Sequence, residues 1–321
     1  MSNRNRKLTE KEIKDIIELD SQGYSSRQIC LKLGWKESRK STVGDLLRKV
    51  KDSIDEQNYE KPAYKIFFGD VETSLTLSYH FGRFRQFIDP KCVEQEPYML
   101  TYAGCWNTGE LEEDSLHYHD RFDIDVTDDY HIIKSLWEIL DECDIFVAHN
   151  SAYDFGWFNQ RCVYHGFPPP SPYKVVCTLK ELKKNFSLPS NSLDASTRYF
   201  GLEKKLQNSG KELWVRCMKG DTDAFEEMLE YNRGDIPTLM QLYYKILPFM
   251  KNHPNVALYY NDTEMRCTRC GGSDLSDTGV SSYTGLSEFK SWRCNCCGTV
   301  SRARNNLRSK AQMKNTLTNI L

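Results

Sequence analysis

The stretch Tyr64-Lys-Ile-Phe-Phe-Gly-Asp70-Val71-Glu72-Thr73 joins an apolar run to two carboxylates. Consecutive aromatic and β-branched residues predict a buried β-strand. Side chains two positions apart lie on the same face of a strand, so Asp70 and Glu72 should point the same way. Neighbouring carboxylates at the end of a buried strand repel each other unless a cation lies between them. This stretch therefore predicts a strand that ends in a cation-binding site.

Two later segments supply carboxylates in a similar setting. Residues 143–150 form a second short apolar run, which leads into an amphipathic helix with Asp154 near its start. Residues 225–243 follow a helical pattern in which Tyr231 and Asp235 are four positions apart and share a face. Pro237 lies inside this pattern, so we expect a kink there or a new helix beginning at that residue.

These segments, in this order, resemble the DEDD superfamily of 3′→5′ exonucleases, proteins with an RNase H-like fold. The resemblance covers about residues 64–250. Its three motifs match, in chain order, Asp70 and Glu72, then Asn150 and Asp154, then Tyr231 and Asp235. A tyrosine four residues before the last aspartate is typical of the tyrosine (DEDDy) subclass. Residues 189–194 and 199–202 also resemble phage-type RNase H-like exonucleases with a C-terminal zinc ribbon.

The resemblance implies a fold and a reaction. The fold is α/β, with a mixed central sheet flanked by helices. The reaction is hydrolysis of phosphodiester bonds in DNA, with RNA as an open alternative, and it releases 5′-mononucleotides. Two Mg²⁺ or Mn²⁺ ions per active site would assist it, and these hard ions take oxygen ligands.

The resemblance also implies a role for each residue. Asp70 would bind both ions, Glu72 and Asp235 the ion that activates water, and Asp154 the other ion. Tyr231 would orient the attacking water. Asn150 would contact the substrate strand near the scissile phosphate, although a capping or packing role for Asn150 is equally compatible with the sequence.

Five of the twelve cysteines lie within 31 positions near the C-terminal end. Cys267 and Cys270 form one Cys-x-x-Cys pair, and Cys294 and Cys297 form another. Each pair suits a tight turn whose two thiolates cover half of a tetrahedron, which predicts a zinc ribbon with one structural Zn²⁺. A redox dithiol is the alternative. Cys296 belongs to neither pair, because the Cys-x-x-Cys spacing assigns the fourth ligand position to Cys297.

The N-terminal 50 residues predict three short helices with glycines in the turns between them. This pattern resembles a helix-turn-helix domain, in which Arg39, Lys40 and Thr42 would face nucleic acid. A trihelical protein-interaction module gives the same pattern. Residues 53–62 are charged and polar and end in a proline, so we expect a linker.

Charge is divided unevenly along the chain, although the formal net charge is only −2. Residues 61–250 carry 20 basic and 29 acidic side chains, whereas residues 251–321 carry 10 and 5. An acidic middle suits cations and basic ends suit phosphates. We expect Arg302, Arg304 and Arg308 of the C-terminal tail to contact nucleic acid, and a replication or repair protein to act as a partner in trans.

Length and composition limit the remaining choices. The chain has 321 residues, 39% of them hydrophobic, which predicts two or three folded domains. No apolar run approaches the roughly 20 residues that cross a bilayer, so we expect no membrane association. The first residues are polar and basic, which favours a cytoplasmic protein, in the host cytoplasm if a phage encodes it.

We predict five divisions: a helix-turn-helix-like domain at 1–52, a linker at 53–62, an RNase H-like exonuclease domain at 63–252, a zinc ribbon at 260–301 and a basic tail at 302–321. Two other functions fit such an arrangement. One is an RNase H-fold endonuclease of the transposase or RuvC type, and the other is a catalytically idle nucleic-acid-binding protein. The four intact carboxylates argue against the idle protein.

Overall fold

The computed structural model describes residues 8–21, 25–36, 40, 42–44, 46, 47, 64–82, 87–202 and 210–318. The chain divides into two compact units, Met1–Pro62 and Ala63–Leu321. The linker predicted at residues 53–62 and the predicted contact residue Arg39 lie outside the described residues.

Helices α1 (Glu10–Ser21) and α2 (Ser26–Lys32) belong to the first unit. Thr9 and Glu12 exchange hydrogen bonds at the start of α1, which satisfies two backbone N–H groups that a helix leaves open. Residues 42–44, 46 and 47 are also helical. The buried side chains of these segments form one small core: Ile16, Ile29, Cys30, Val43 and Leu47.

The second unit is built on a five-stranded sheet with the strand order β5-β4-β1-β6-β7. In chain order, the first seven strands are β1 (Ile66–Thr73), β2 (Leu77–Ser78), β3 (Val93–Gln95), β4 (Met99–Trp106), β5 (Leu111–Ser115), β6 (Ile145–Ala148) and β7 (Lys174–Cys177). Strand β1 is antiparallel to β4 and parallel to β6, so the sheet is mixed. Strands β2 and β3 pair separately.

Helices cover this sheet on both faces. They are α3 (Tyr130–Glu142), α4 (Ser151–His165), α5 (Thr178–Asn185), α6 (Leu193–Tyr199), α7 (Lys211–Met218) and α8 (Thr222–Ile246). The predicted α/β class, with a mixed central sheet flanked by helices, is confirmed. Burial on both faces explains why the central strand β6 is a continuous apolar run.

Strand β1 faces two different cores. Phe67 packs into the core that contains α3, whereas Phe68 packs into the core that contains Leu239 and Tyr243 of α8. Because alternate residues of a strand share a face, Asp70 and Glu72 continue the Phe68 face. The two carboxylates therefore lie on the side of the sheet that α8 covers.

Helix α8 runs without interruption through Pro237. The expectation that a new helix begins at this proline is wrong. Proline costs a helix interior about 3 kcal/mol, but apolar residues of α8 are buried on both sides of it, among them Leu229 and Leu242. Packing against the sheet outweighs the local cost and keeps the helix continuous.

A second antiparallel sheet lies near the C-terminal end, as predicted. Its strands are β8 (Leu275–Tyr283), β9 (Glu288–Cys294) and β10 (Val300–Arg302), and helix α9 (Lys310–Lys314) follows. The guanidinium of Arg269 joins this region to the end of α8 by donating hydrogen bonds to the carbonyl groups of Met250 and His253. Among the described residues, no helix is both long and apolar enough to span a bilayer.

Candidate functional site

Asp70 lies on β1, opposite Ala103 of β4, and its side chain is half-buried. Asn232 of α8 donates a hydrogen bond of 2.7 Å from Nδ2 to Asp70 Oδ2. Asn232 is itself fully buried, and its Oδ1 accepts a bond of 3.4 Å from the Thr101 hydroxyl. This amide therefore fixes the Asp70 carboxylate relative to the long helix.

Asn232 was not predicted from the sequence. It follows Tyr231 directly and precedes Asp235 by three positions, so a helical projection puts it beside Asp235. That spacing was the available signal. The contact with Asp70 depends on how α8 lies across β1, which no local pattern reveals.

Asp154 lies in the first turn of α4 and is only 5% exposed. Its Oδ2 atom is buried and has no hydrogen-bond partner among the described residues. Burial, and then the negative charge of Asp70, raise the pKa of Asp154 well above its usual range. Asp70 and Asp154 are thus close enough to destabilise each other's charge, as in a site that suits a divalent cation.

Tyr231 and Asp235 lie on successive turns of α8. Asp235 is buried, whereas Tyr231 is half-buried, with its ring centroid 6.4 Å from that of Trp214 on α7. Glu72 is half-buried at the end of β1. The five residues of the predicted catalytic set thus lie on strand β1, at the start of α4 and in the middle of α8.

Asn150 precedes α4 and adopts a left-handed backbone conformation with φ of 74°. Among the described residues it is the only non-glycine with positive φ, a conformation that asparagine tolerates better than most residues. Its side chain makes no capping hydrogen bond and is exposed, so the capping alternative is wrong. The strained turn allows α4 to begin directly after β6.

Tyr153 is a second residue that sequence reasoning missed. Its hydroxyl lies 2.7 Å from Thr73 Oγ1 at the end of β1, and its side chain is about half exposed. The neighbouring residue, Asp154, points into the protein. Tyr153 therefore links α4 to β1 at the surface, directly beside the carboxylates.

The four predicted cysteine ligands form a compact cluster. Within the described residues, theirs is the only group of three or more possible metal ligands whose ligand atoms all lie within 4.8 Å of one another. The Sγ atoms of Cys267 and Cys297 are 3.5 Å apart, as are those of Cys270 and Cys294. This cluster can hold a structural metal ion such as Zn²⁺.

Local chemistry supports metal binding at these cysteines. A hydrogen bond from the Cys270 thiol outweighs burial and lowers the pKa of Cys267, whereas the same contact raises the pKa of Cys270, so Cys267 is the member of this pair that more readily forms a thiolate. Gly271 and Gly298 follow the two pairs with φ of 73° and 80°, so each turn closes in a conformation that suits glycine. Cys296 is exposed and lies outside the cluster.

The basic residues predicted to contact nucleic acid differ in their surroundings. Lys40 and Thr42 are exposed in the first unit, and Arg304 is exposed after β10. The Arg302 guanidinium lies 4.2 Å from the ring centroid of Phe289. Arg308 forms an ion pair with Glu288 at 3.2 Å, so part of its charge is already neutralised.

Neither a protein-family model nor a curated protein sequence matches the chain. Similar solved structures include the family B DNA polymerase from the hyperthermophilic archaeon Pyrobaculum calidifontis, at 17% identity and a TM-score of 0.44 over 60% of this chain. The match covers 25% of the polymerase, so this chain spans about a quarter of its length.

The Mos1 strand transfer complex matches 78% of this chain and 82% of its own chain, at 11% identity and a TM-score of 0.18. The mariner Mos1 paired end complex with Mg matches 74% and 83%, at 10% identity and a TM-score of 0.14. Similarity this low does not assign a function to this chain.

Proposed function

We propose that this protein is a metal-dependent 3′→5′ exonuclease that acts on DNA in preference to RNA and releases 5′-mononucleotides. The observation that carries the proposal is the buried Asp154 carboxyl, which has an oxygen without a partner and lies within the electrostatic reach of Asp70. Such a pair is costly unless a cation compensates for it. Glu72 lies two positions after Asp70 on the same face of β1, and Asp235 lies three positions after Asn232, which contacts Asp70.

The residues fit two Mg²⁺ or Mn²⁺ ions, because carboxylate oxygens are the ligands that these ions prefer. When bound, such ions supply a nucleophilic water and neutralise charge on the phosphate and the leaving oxygen. Asp70 would contact both ions. Glu72 and Asp235 would hold the ion that activates water, and Asp154 would hold the other ion. Tyr231 would orient the attacking water, and the exposed Asn150 would bind the substrate strand.

The remaining parts would hold the nucleic acid. Phosphates would be bound at both ends of the chain. The residues are Arg39, Lys40 and Thr42 of the helix-turn-helix-like domain at residues 1–52, and Arg302 and Arg304 near the ribbon. Arg308 would contribute less because Glu288 neutralises it. The zinc ribbon at 260–301 would have a structural role, and a replication or repair protein would act as the partner in trans. Binding should weaken steeply as salt rises.

The test compares linear and circular DNA and RNA, each labelled, in Mg²⁺ or Mn²⁺. The enzyme, an Asp70→Asn variant and an Asp123→Asn control, which alters an exposed loop carboxylate, are assayed side by side. We expect linear strands to be degraded and circles to survive, with activity lost only in Asp70→Asn. Cleaved circles would instead support the endonuclease alternative. An absence of metal-dependent products would support the idle binding protein.

A further inference from the structure

His149 follows the last residue of β6 and lies at the edge of the sheet where β1 carries Asp70. The parallel register pairs Phe68 of β1 with Val147 of β6, and both side chains belong to the same core. Two residues further along these chains are Asp70 and His149. Alternate residues of a strand share a face and neighbouring strands lie roughly 5 Å apart, so the register places His149 beside Asp70.

Both nitrogen atoms of the His149 ring form hydrogen bonds with other elements. Nε2 lies 3.0 Å from the carbonyl oxygen of Asn191, and because a carbonyl only accepts, Nε2 carries the hydrogen and donates it. Nδ1 lies 2.9 Å from the hydroxyl of Thr178, a fully buried residue at the start of α5. The ring therefore ties the end of β6 to α5 and to the segment before α6, and it is not directed at the carboxylates.

The residues after His149 form the turn that carries Asp154. Asn150 has the left-handed backbone conformation, and its carbonyl accepts a hydrogen bond of 2.8 Å from the Tyr153 N–H. At the other end of the turn, the Tyr153 hydroxyl lies 2.7 Å from Thr73 Oγ1 on β1. The turn is thus held at both ends, by the His149 ring and by the Tyr153 hydroxyl, and Asp154 follows directly.

Asp154 depends on such a restraint for its position. Its carboxyl is buried, and Oδ2 has no hydrogen-bond partner among the described residues. The negative charge of Asp70 also opposes its ionisation. An ionised Asp154 would gain by moving away from Asp70 into water, and a fixed turn before it prevents that movement.

We propose that His149 is a positioning residue, whose two ring hydrogen bonds fix the turn before α4 and so hold Asp154 beside Asp70 in the arrangement that binds a metal ion. This inference rests on the proposed function for the metal site that Asp154 would join. Groups that orient metal ligands from behind typically account for about 10–100-fold in metal affinity. His149 would therefore act on metal affinity through Asp154 and not by binding the ion itself.

The test titrates the zinc-loaded protein with Mn²⁺ and measures bound and free Mn²⁺ by electron paramagnetic resonance. His149→Ala should bind Mn²⁺ about 10–100-fold more weakly than wild type, with an unchanged circular dichroism spectrum. His149→Gln should recover most of the affinity, because its amide nitrogen can replace Nε2 as the donor to Asn191. The control is His131→Ala, which removes an exposed ring on α3 and should bind Mn²⁺ as wild type does.

A double-variant cycle separates positioning from a general loosening of the fold. If His149 acts through Asp154, then His149→Ala should weaken Mn²⁺ binding by no more than about twofold in an Asp154→Asn background. Should His149→Ala not fold, Thr178→Val takes its place in the cycle, since it removes one of the two ring hydrogen bonds and leaves the ring. We expect a weakening smaller than that of His149→Ala, again lost in the Asp154→Asn background.

Three results would overturn the inference: unchanged Mn²⁺ affinity in the folded His149 or Thr178 variant, the full loss retained in the Asp154→Asn background, or an equal loss in His131→Ala. A wild type that binds Mn²⁺ at these carboxylates but degrades no DNA would refute the exonuclease proposal and leave this inference standing. Conversely, an active nuclease whose His149→Ala variant binds Mn²⁺ normally would refute the positioning role alone. A wild type that binds no Mn²⁺ would overturn both.

Discussion

The cysteine cluster and the proposed carboxylate site would be two opposite ways to build a metal site. All four cysteines come from two local turns, and their sulfur atoms approach to 3.5 Å. The carboxylates come from β1, α4 and α8, which are distant in sequence, and the carboxylates of Asp70 and Asp154 disfavour each other's charge. We infer that metal binding at the cysteines stabilises the fold. At the second site, in contrast, the fold holds the Asp70 and Asp154 carboxylates together against their mutual repulsion.

The largest expected effect follows from breaking the cysteine cluster. Structural zinc contributes about 10–16 kcal/mol of apparent binding free energy in small zinc domains, which is comparable to the total stability of a typical domain. A Cys270→Ser variant should therefore lose its zinc and expose residues 260–301 to proteolysis. Metal analysis and limited proteolysis measure both. Cys296→Ser is the matched control, because that residue is exposed and lies outside the cluster; equal sensitivity of the two variants would contradict the assignment.

The next effect concerns Asp154, whose loss should harm activity and not the fold. An Asp154→Asn variant should lose activity on the order of a thousandfold, because a metal ligand and its charge are removed. Its circular dichroism spectrum should match that of the wild type. Activity within a few-fold of wild type would show that Asp154 binds no catalytic metal.

The same variant should change how stability depends on pH. Because the pKa of Asp154 is raised in the folded state, its stabilising contribution is complete below about pH 4, near the unfolded pKa, and is lost as pH rises through the raised value. In EDTA at pH 8, Asp154→Asn should therefore melt at a higher temperature than wild type, and the difference should shrink toward pH 4. Added Mg²⁺ should raise only the wild-type melting temperature at pH 8. Parallel curves for the two proteins would contradict this account.

A smaller effect is expected at Asn232, which contacts the Asp70 carboxylate and would not itself bind the proposed metal ion. Removing groups that orient metal ligands costs about 10–100-fold in affinity or activity. Asn232→Ala should fall in this range, with a weaker apparent affinity for Mg²⁺. Arg233→Ala is the control on the adjacent residue, since Arg233 pairs with Glu113 away from β1. A loss as large as that of Asp154→Asn would mean that Asn232 itself takes part in the chemistry.

The smallest expected effect concerns the contact between the two regions. Arg269 lies between two zinc-ligand positions and donates hydrogen bonds to carbonyl groups that follow α8. Arg269→Ala leaves those carbonyl groups without a donor, which costs about 1–3 kcal/mol. We expect a melting temperature lower by a few degrees, with zinc retained. Loss of zinc in this variant, but not in the exposed control Arg293→Ala, would place Arg269 within the metal site itself.

How much the sequence could predict depends on how local each feature is. The Cys-x-x-Cys turns and the strand before Asp70 are encoded by adjacent residues, and the structure has both where they were expected. Of the two expectations at Pro237, the new helix was wrong, because packing of residues on both sides outweighs a local penalty, and the kink stays a prediction. Asn232 and Tyr153 were missed, since their contacts with Asp70 and Thr73 depend on how helices lie on the sheet.

A label on the 3′-terminal nucleotide of a linear single strand shows whether this protein is a 3′→5′ exonuclease. With Mn²⁺ present, we expect the label to appear first as a 5′-mononucleotide, while the rest of the strand shortens one nucleotide at a time. Neither product should form with EDTA or with Asp70→Asn. A label that appears first in longer fragments, or that is released equally without metal, would contradict the account.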